Sequence, residues 1–355
     1  MRIKRKMKNK IKTSIVICTC NGEKKIARAI ESLLHQNYTK SKYEIIVVDD
    51  GSKDKTIEIV KKYPLIKLVR HKNNLGLANA RNTGLKYAKG EIYVCFDDDC
   101  IANKNWLKEL VKVYSNKKDV LGVGGWVIND SPKDISEEFI QEGGCGNPCP
   151  VDFIKSKNIL YRFYTYLNSK IFPIEDKKGI FEVGFLAGAN SSFFVKDLKE
   201  VRGWDIKLSG TEDTGLCNKL KKKNPHKIFY SNKSASLIHN HKLSFKDYLA
   251  RPLKRGDKVL RFYKSQKKFP PIFPFPIAII LGSLISITFG IIPFLFSLIV
   301  LPQLFYFWFP IKFFKKLDKN YLVFPYMQFL LESFTILGLI KGYFLLNLKH
   351  HDSKK

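Results

Sequence analysis

The sequence predicts an α/β fold: a Rossmann-like mixed sheet, mostly parallel, followed by apolar transmembrane helices. Three observations lead there. Up to about residue 100, short apolar runs alternate with amphipathic segments, the pattern of βαβ units. Three of those runs end in polar clusters: Thr19-Cys20-Asn21, Asp49-Asp50-Gly51-Ser52 and Asp97-Asp98-Asp99. Near the C-terminus, Ile277–Phe309 is 33 residues without a charge.

The elements follow in order. Ser14–Cys18 is β-branched and apolar, hence a strand. In KKIARAIESLLHQ, the residues Ile26, Ile30, Leu33 and Leu34 fall on one helical face. Tyr43–Val48 is a second strand, closed by the turn DDGSKDKT, and Thr56–Tyr63 is a helix. Ile66–Val69, the helix LANARNTGLKYA and the strand Glu91–Phe96 complete the alternation. Such continuous apolar strands are buried on both faces, and ligands bind beyond their carboxyl ends. The three polar clusters therefore share one rim.

From Leu121 the pattern loosens. GVGGWVIND reads as a strand, and its glycines lack the spacing of a dinucleotide fingerprint. Residues 130–180 read as irregular. SSFFV reads as a strand before helical segments, and two further strands lie near Lys227–Tyr230 and Ser236–Ile238. A basic amphipathic helix runs from Ser244 to about Phe262. The 33-residue apolar run would be about 50 Å long as one helix, against a hydrocarbon core of about 30 Å. Gly290 and Pro293 near its middle favour two short spans or a hairpin. A basic loop, 311–320, precedes a second apolar stretch, Leu322–Leu346, which carries Glu332 and Lys341. The expected division is a basic arm 1–12, an α/β domain 13–245, a basic amphipathic interface helix or linker 246–270, and a membrane segment 271–348 of two to three helices.

Lys and Arg number 62 against 32 Asp and Glu, a net charge of +30, so an anionic partner is expected. No nucleic-acid module is present, which excludes that partner class and leaves anionic membrane lipids or a phosphorylated substrate. The basic arm reads either as a lipid-touching tail or as a solubilising end. No signal-peptide core follows it, and the seven Cys form no zinc framework. Cys145 and Cys149 are the one close pair in a loop, weak grounds for a metal or redox role. A reducing cytoplasm and a multi-pass cell-membrane anchor, with the main domain on the cytoplasmic side, fit these features.

Three adjacent carboxylates at a strand end repel one another. Either water solvates them or a cation sits there. Their oxygens suit Mg²⁺ or Mn²⁺, which bridge to substrate phosphates, and Asp50 on the neighbouring strand end is placed to bond a base or ribose.

SIVICTCNGEKKIARAIESLL, YEIIVVDDGSKDKT, NNLGLANARNTGL, GEIYVCFDDDC and GTEDTGL, in that order, resemble the inverting glycosyltransferases of family 2, of GT-A fold and membrane-anchored bacterial or archaeal type. The resemblance covers about residues 13–245. It implies that Thr19, Asn21 and Glu23 line the nucleotide end, that Asp50 contacts the base and that Arg81 lies near the nucleotide. Asp98 approaches the ribose, Asp99 ligates the metal, and Asp97 completes the acidic motif at the donor and the ion. Gly188-Ala189-Asn190 lies by the donor sugar. Asp213 is the general base. Glu212 beside it either raises the base's pKa or favours the helix start. His239 or His241 completes the metal site. The family pattern carries another Asp two residues after the base, where this chain has Gly215.

The implied reaction moves one sugar from a UDP- or GDP-sugar to a lipid-linked or cell-surface polysaccharide acceptor at the cytoplasmic membrane face, with inversion. A processive synthase is an alternative, but its Gln-x-x-Arg-Trp motif is missing. A non-catalytic scaffold that binds nucleotide sugar is another, and the intact Asp triplet and Glu212-Asp213 oppose it.

Overall fold

A computed structural model describes residues 13–128, 132–142, 158–171, 178–208, 210–239, 244–270 and 273–352. The basic arm, Cys145, Cys149 and His241 lie outside the described residues. The chain forms two compact units: residues 1–131 with 146–241, and residues 132–145 with 242–355.

In the first unit, β1 (Thr13–Thr19), α1 (Ile26–Leu34), β2 (Tyr43–Asp49), α2 (Thr56–Lys61), β3 (Lys67–Arg70), α3 (Leu77–Tyr87) and β4 (Ile92–Asp97) follow the expected alternation. The strands lie in the order β3-β2-β1-β4, all parallel. Ile15, Ile17, Val47, Val94 and Phe96 pack on one face, and Val16, Ile46, Val48, Tyr93 and Cys95 on the other. Burial on both faces explains why the runs are continuously apolar rather than alternating.

Past β4 the sheet becomes mixed. β5 (Cys100–Ala102) and α4 (Trp106–Asn116) follow the Asp triplet, then β6 (Val120–Ile128). The second unit takes α5 (Ile135–Glu142), and the first resumes with α6 (Ile159–Ile171), β7 (Ile180–Val183), β8 (Asn190–Phe194), α7 (Val195–Glu200), α8 (Glu212–Lys223) and β9 (Ile228–His239). The full order is β3-β2-β1-β4-β8-β6-β9-β5, with β7 also on β9. β8 runs antiparallel to both β4 and β6, while β6 and β9 pair parallel and keep the direction of β1–β4; β5 and β7 oppose β9. The two late strands are one, β9. Its polar middle, SNKSAS, reads as a break but is held inside the sheet: Ser231 and Asn232 are buried, and Asn232 donates to the Glu109 carbonyl. A register shift between Gly124 and Trp126 of β6 accommodates this stretch. Two helices, α5 and α6, occupy the region read as irregular.

The second unit adds α9 (Phe245–Ser265), α10 (Pro274–Ile287), α11 (Ile291–Phe305), α12 (Trp308–Lys316) and α13 (Phe324–Asp352). Ser244 caps α9 by accepting from the Asp247 amide. α9 and α13 meet through glycines: a Cβ on Gly256 would fall on the Gly338 carbonyl, and one on Gly338 on the Pro252 carbonyl. α5 packs against this group through Phe139, whose ring meets Phe245, Tyr248, Phe309 and Phe324. Glu142 at its end accepts from Lys312 and Tyr321.

Among the described residues one helix, Phe324–Leu346, is long and apolar enough to cross a membrane, and a second span exists only if α11 and α12, bent by 78°, count as one. Taken singly, the helices of the uncharged run are too short to cross a membrane. α10 and α11 have 14 and 15 residues, about 21 and 22 Å, and turn back at Gly290. Glu332 is tolerated within α13 because Tyr306 and Gln328 each donate to its carboxylate at 2.8 Å.

Candidate active site

Parallel register brings the strand ends together. Thr19 of β1 pairs with Asp49 of β2, and Cys18 pairs with Asp97 of β4. The chain turns at Asp98-Asp99 and enters β5, where Cys100 pairs with His239 at the end of β9. The Asp triplet thus sits between two halves of the sheet.

Each aspartate has a cationic neighbour. Asp97 lies 3.7 Å from Arg81 Nη2. Asp98 Oδ1 lies 2.9 Å from Lys25 Nζ, and its Oδ2 accepts from the Thr19 hydroxyl at 2.6 Å. Asp99 Oδ1 lies 3.0 Å from His239 Nε2 and its Oδ2 3.9 Å from Lys25. Burial pushes the Asp97 carboxyl above its ordinary range, against Arg81 and His239, with Asp99 and Asp213 adding to the rise.

Arg81 links the two acidic sites. Its Nη1 is 2.5 Å from Asp213 Oδ1 on the first turn of α8, while its Nη2 faces Asp97. Burial opposes its charge, but Asp213 more than restores it, so the guanidinium stays protonated. The Trp204 ring lies beneath it at 5.9 Å. Asp213 Oδ2 lies beside Gly188, where an added Cβ would collide with both Arg81 and Asp213. Gly188 therefore lets the ion pair reach the loop before β8.

The other sequence-predicted residues divide. Asn21 and Glu23 stitch the loop after β1 to the loop after β2: Asn21 accepts from the Lys53 amide, and Glu23 from the Lys55 amide. Asp50 is buried and accepts from Leu75 N, Gly76 N and His71 Nδ1 at 2.7–2.9 Å. It organises the loop that enters α3. Asn190 is buried in the sheet at the start of β8. Its side chain accepts from Trp106 Nε1 and donates toward the Trp126 and Ala235 carbonyls. Glu212 opens α8, where the helix dipole favours a carboxylate, and its buried Oε2 has no hydrogen-bond partner among the described residues. Gly215 faces Leu208, which an added Cβ would strike at 2.5 Å. An Asp there would displace packing.

Lys25 is the site residue that sequence reasoning missed. A signal was present: it precedes α1 as its N-cap, and a helix N-terminus disfavours cations unless an anion is near.

Asp99, Cys100 and His239 place a carboxylate oxygen, a thiol and an imidazole nitrogen within 4.8 Å of one another. Burial holds the Cys100 thiol well above its usual range, and sulfur is a soft donor ill-matched to Mg²⁺ or Mn²⁺. The remaining oxygen and nitrogen donors fit Mg²⁺ or Mn²⁺.

The profile of glycosyl transferase family 2 matches residues 14–202. The poly(ribitol-phosphate) beta-N-acetylglucosaminyltransferase TarP of Staphylococcus aureus is 27% identical over 200 residues, 55% of this chain and 60% of that protein. A dolichyl N-acetyl-alpha-D-glucosaminyl phosphate 3-beta-D-2,3-diacetamido-2,3-dideoxy-beta-D-glucuronosyltransferase of Methanococcus voltae is 28% identical over 204 residues, 53% of this chain and 61% of that protein. The chain thus spans about three fifths of the length of these relatives. Among solved structures, the mannosyltransferase PcManGT of Pyrobaculum calidifontis, in complex with GDP-Man and Mn²⁺, superposes with a TM-score of 0.61. That likeness covers 95% of this chain and 88% of the other at 18% identity, and it bears on the fold.

Proposed function

The chain belongs to glycosyl transferase family 2, and from that premise we propose that it transfers a single sugar, with inversion, from a nucleotide-diphospho-sugar to a lipid-linked or polysaccharide acceptor at the cytoplasmic face of a membrane. One observation carries the reading. Arg81 joins the Asp97–Asp99 turn to Asp213, so a donor-side acidic cluster and a candidate base share one cation.

Asp99 and His239 would hold a divalent ion, whose charge stabilises the departing nucleoside diphosphate. Asp213 takes the proton from the acceptor hydroxyl as that oxygen attacks the anomeric carbon. Arg81 fixes Asp213 through Oδ1 and leaves Oδ2 toward Gly188. Thr19 holds Asp98 at the rim. A single displacement inverts the configuration. TarP and the Methanococcus voltae enzyme, by their names, act on a poly(ribitol-phosphate) and a dolichyl phosphate glycan, which supports a polymeric or lipid-linked acceptor here. GDP-Man and Mn²⁺ in PcManGT support a nucleotide-sugar donor used with a metal.

The second unit supplies the membrane contact. Phe289, Ile292, Phe296 and Ile299 of the α10–α11 hairpin are each at least 60% exposed, a surface suited to lipid rather than water. At about 22 Å its arms reach into the bilayer without crossing it. The stretch 311–320, expected as a loop, is largely the end of α12, and its basic residues, with those of α9, face anionic headgroups.

The test is Asp213→Asn in the full chain, assayed for sugar transfer from UDP- and GDP-sugars with Mn²⁺. Loss of roughly 10²–10⁴-fold in kcat with retained donor binding is expected. Retained transfer would remove Asp213 as the base.

A further inference from the structure

We propose that Lys25 is a displaceable internal cation of the donor site: it occupies the Asp98–Asp99 turn before the metal arrives and then moves to the donor's diphosphate. This rests on the reading that Asp99 and His239 hold a divalent ion. Lys25 Nζ lies 2.9 Å from Asp98 Oδ1 and 3.9 Å from Asp99 Oδ2. An ion bound at Asp99 would sit beside that ammonium, and two like charges so close repel.

The two cations of the cluster are not equivalent. Arg81 is 3% exposed, lies over the Trp204 ring and bridges Asp97 to Asp213, so it has no room to leave. Lys25 is 42% exposed, sits on the loop before α1, and hangs from a four-carbon stem. Asp98 stays in place without it, because the Thr19 hydroxyl holds the other oxygen. Binding of a metal and a diphosphate would leave Lys25 beside new negative charge, which a mobile ammonium can follow. A purely structural lysine would have no such second task.

The proposal gives opposite signs for two ligands. With the purified full chain, free Mn²⁺ is titrated by electron paramagnetic resonance, with no nucleotide present. Lys25→Met should bind Mn²⁺ roughly tenfold tighter than wild type, since the competing charge is gone. UDP and GDP are then titrated calorimetrically at saturating Mn²⁺. Whichever binds wild type should bind Lys25→Met roughly tenfold more weakly. Lys25→Arg should restore both values toward wild type. Thermal unfolding monitors the fold, and Lys25→Gln replaces the Met variant if that one does not fold. Equal or weaker Mn²⁺ binding by Lys25→Met, or unchanged nucleotide binding, overturns the role of Lys25. Equal Mn²⁺ binding by wild type and Asp99→Asn overturns the metal reading itself, whatever Lys25 does.

Discussion

Arg81 is the residue on which both acidic sites depend; the family resemblance put it near the nucleotide, but its bridge between Asp97 and Asp213 could not be read from the sequence. The Asp triplet and Glu212-Asp213 stand out by composition. The arginine joining them sits 132 residues from Asp213 in a helix that looks ordinary. Gly188 is the complementary case, because its role lies in the side chain it lacks. Gly188→Ala would push a methyl group against the Arg81–Asp213 pair. The expected result is a roughly 10²-fold loss of kcat, from misplacement of the proposed base, with the melting temperature little changed. Wild-type kcat in this variant would show that the pair is not held by the Gly188 loop. Asn21, Glu23 and Asp50 teach the converse: their place at the strand ends was legible, but their hydrogen bonds go to neighbouring loops.

At the scale of elements, strong periodicity was legible and short or polar segments were not. α1 carries a clear helical period, and β1, β2 and β4 carry largely apolar runs. β5 is three residues, too short for any period, and the polar middle of β9 hides a strand whose partners come from distant segments. α9 shows a different limit. Its basic amphipathic pattern was visible, but its close fit to α13 depends on Gly256 and Gly338 meeting backbone to backbone. Gly338→Leu would force these helices apart at a cost of about 1–3 kcal/mol. Lower thermal stability and proteolysis within α9 are the expected signs. Unchanged stability would mean that α9 and α13 do not pack through these residues.

For the whole molecule, the sequence shows an α/β domain and an apolar C-terminal part because those are matters of composition and period. The reversal of direction at β8 is a long-range property: the strand joins β4 and β6 from a segment far along the chain, and SSFFV carries no mark of orientation. Beyond β8, β6 and β9 resume the direction of β4, so the end of β9, and with it His239, reaches the Asp99 side of the sheet. That shared strand direction is therefore what brings the candidate cation ligands Asp99 and His239 together. The most direct test is an anomalous-scattering map at the manganese edge, from crystals of the full chain grown with Mn²⁺ and a nucleoside diphosphate. A single strong peak within coordination distance of the Asp99 carboxylate and His239 Nε2 is predicted, with the diphosphate against it. A peak remote from both residues, or a bound diphosphate with no metal beside it, would contradict the account.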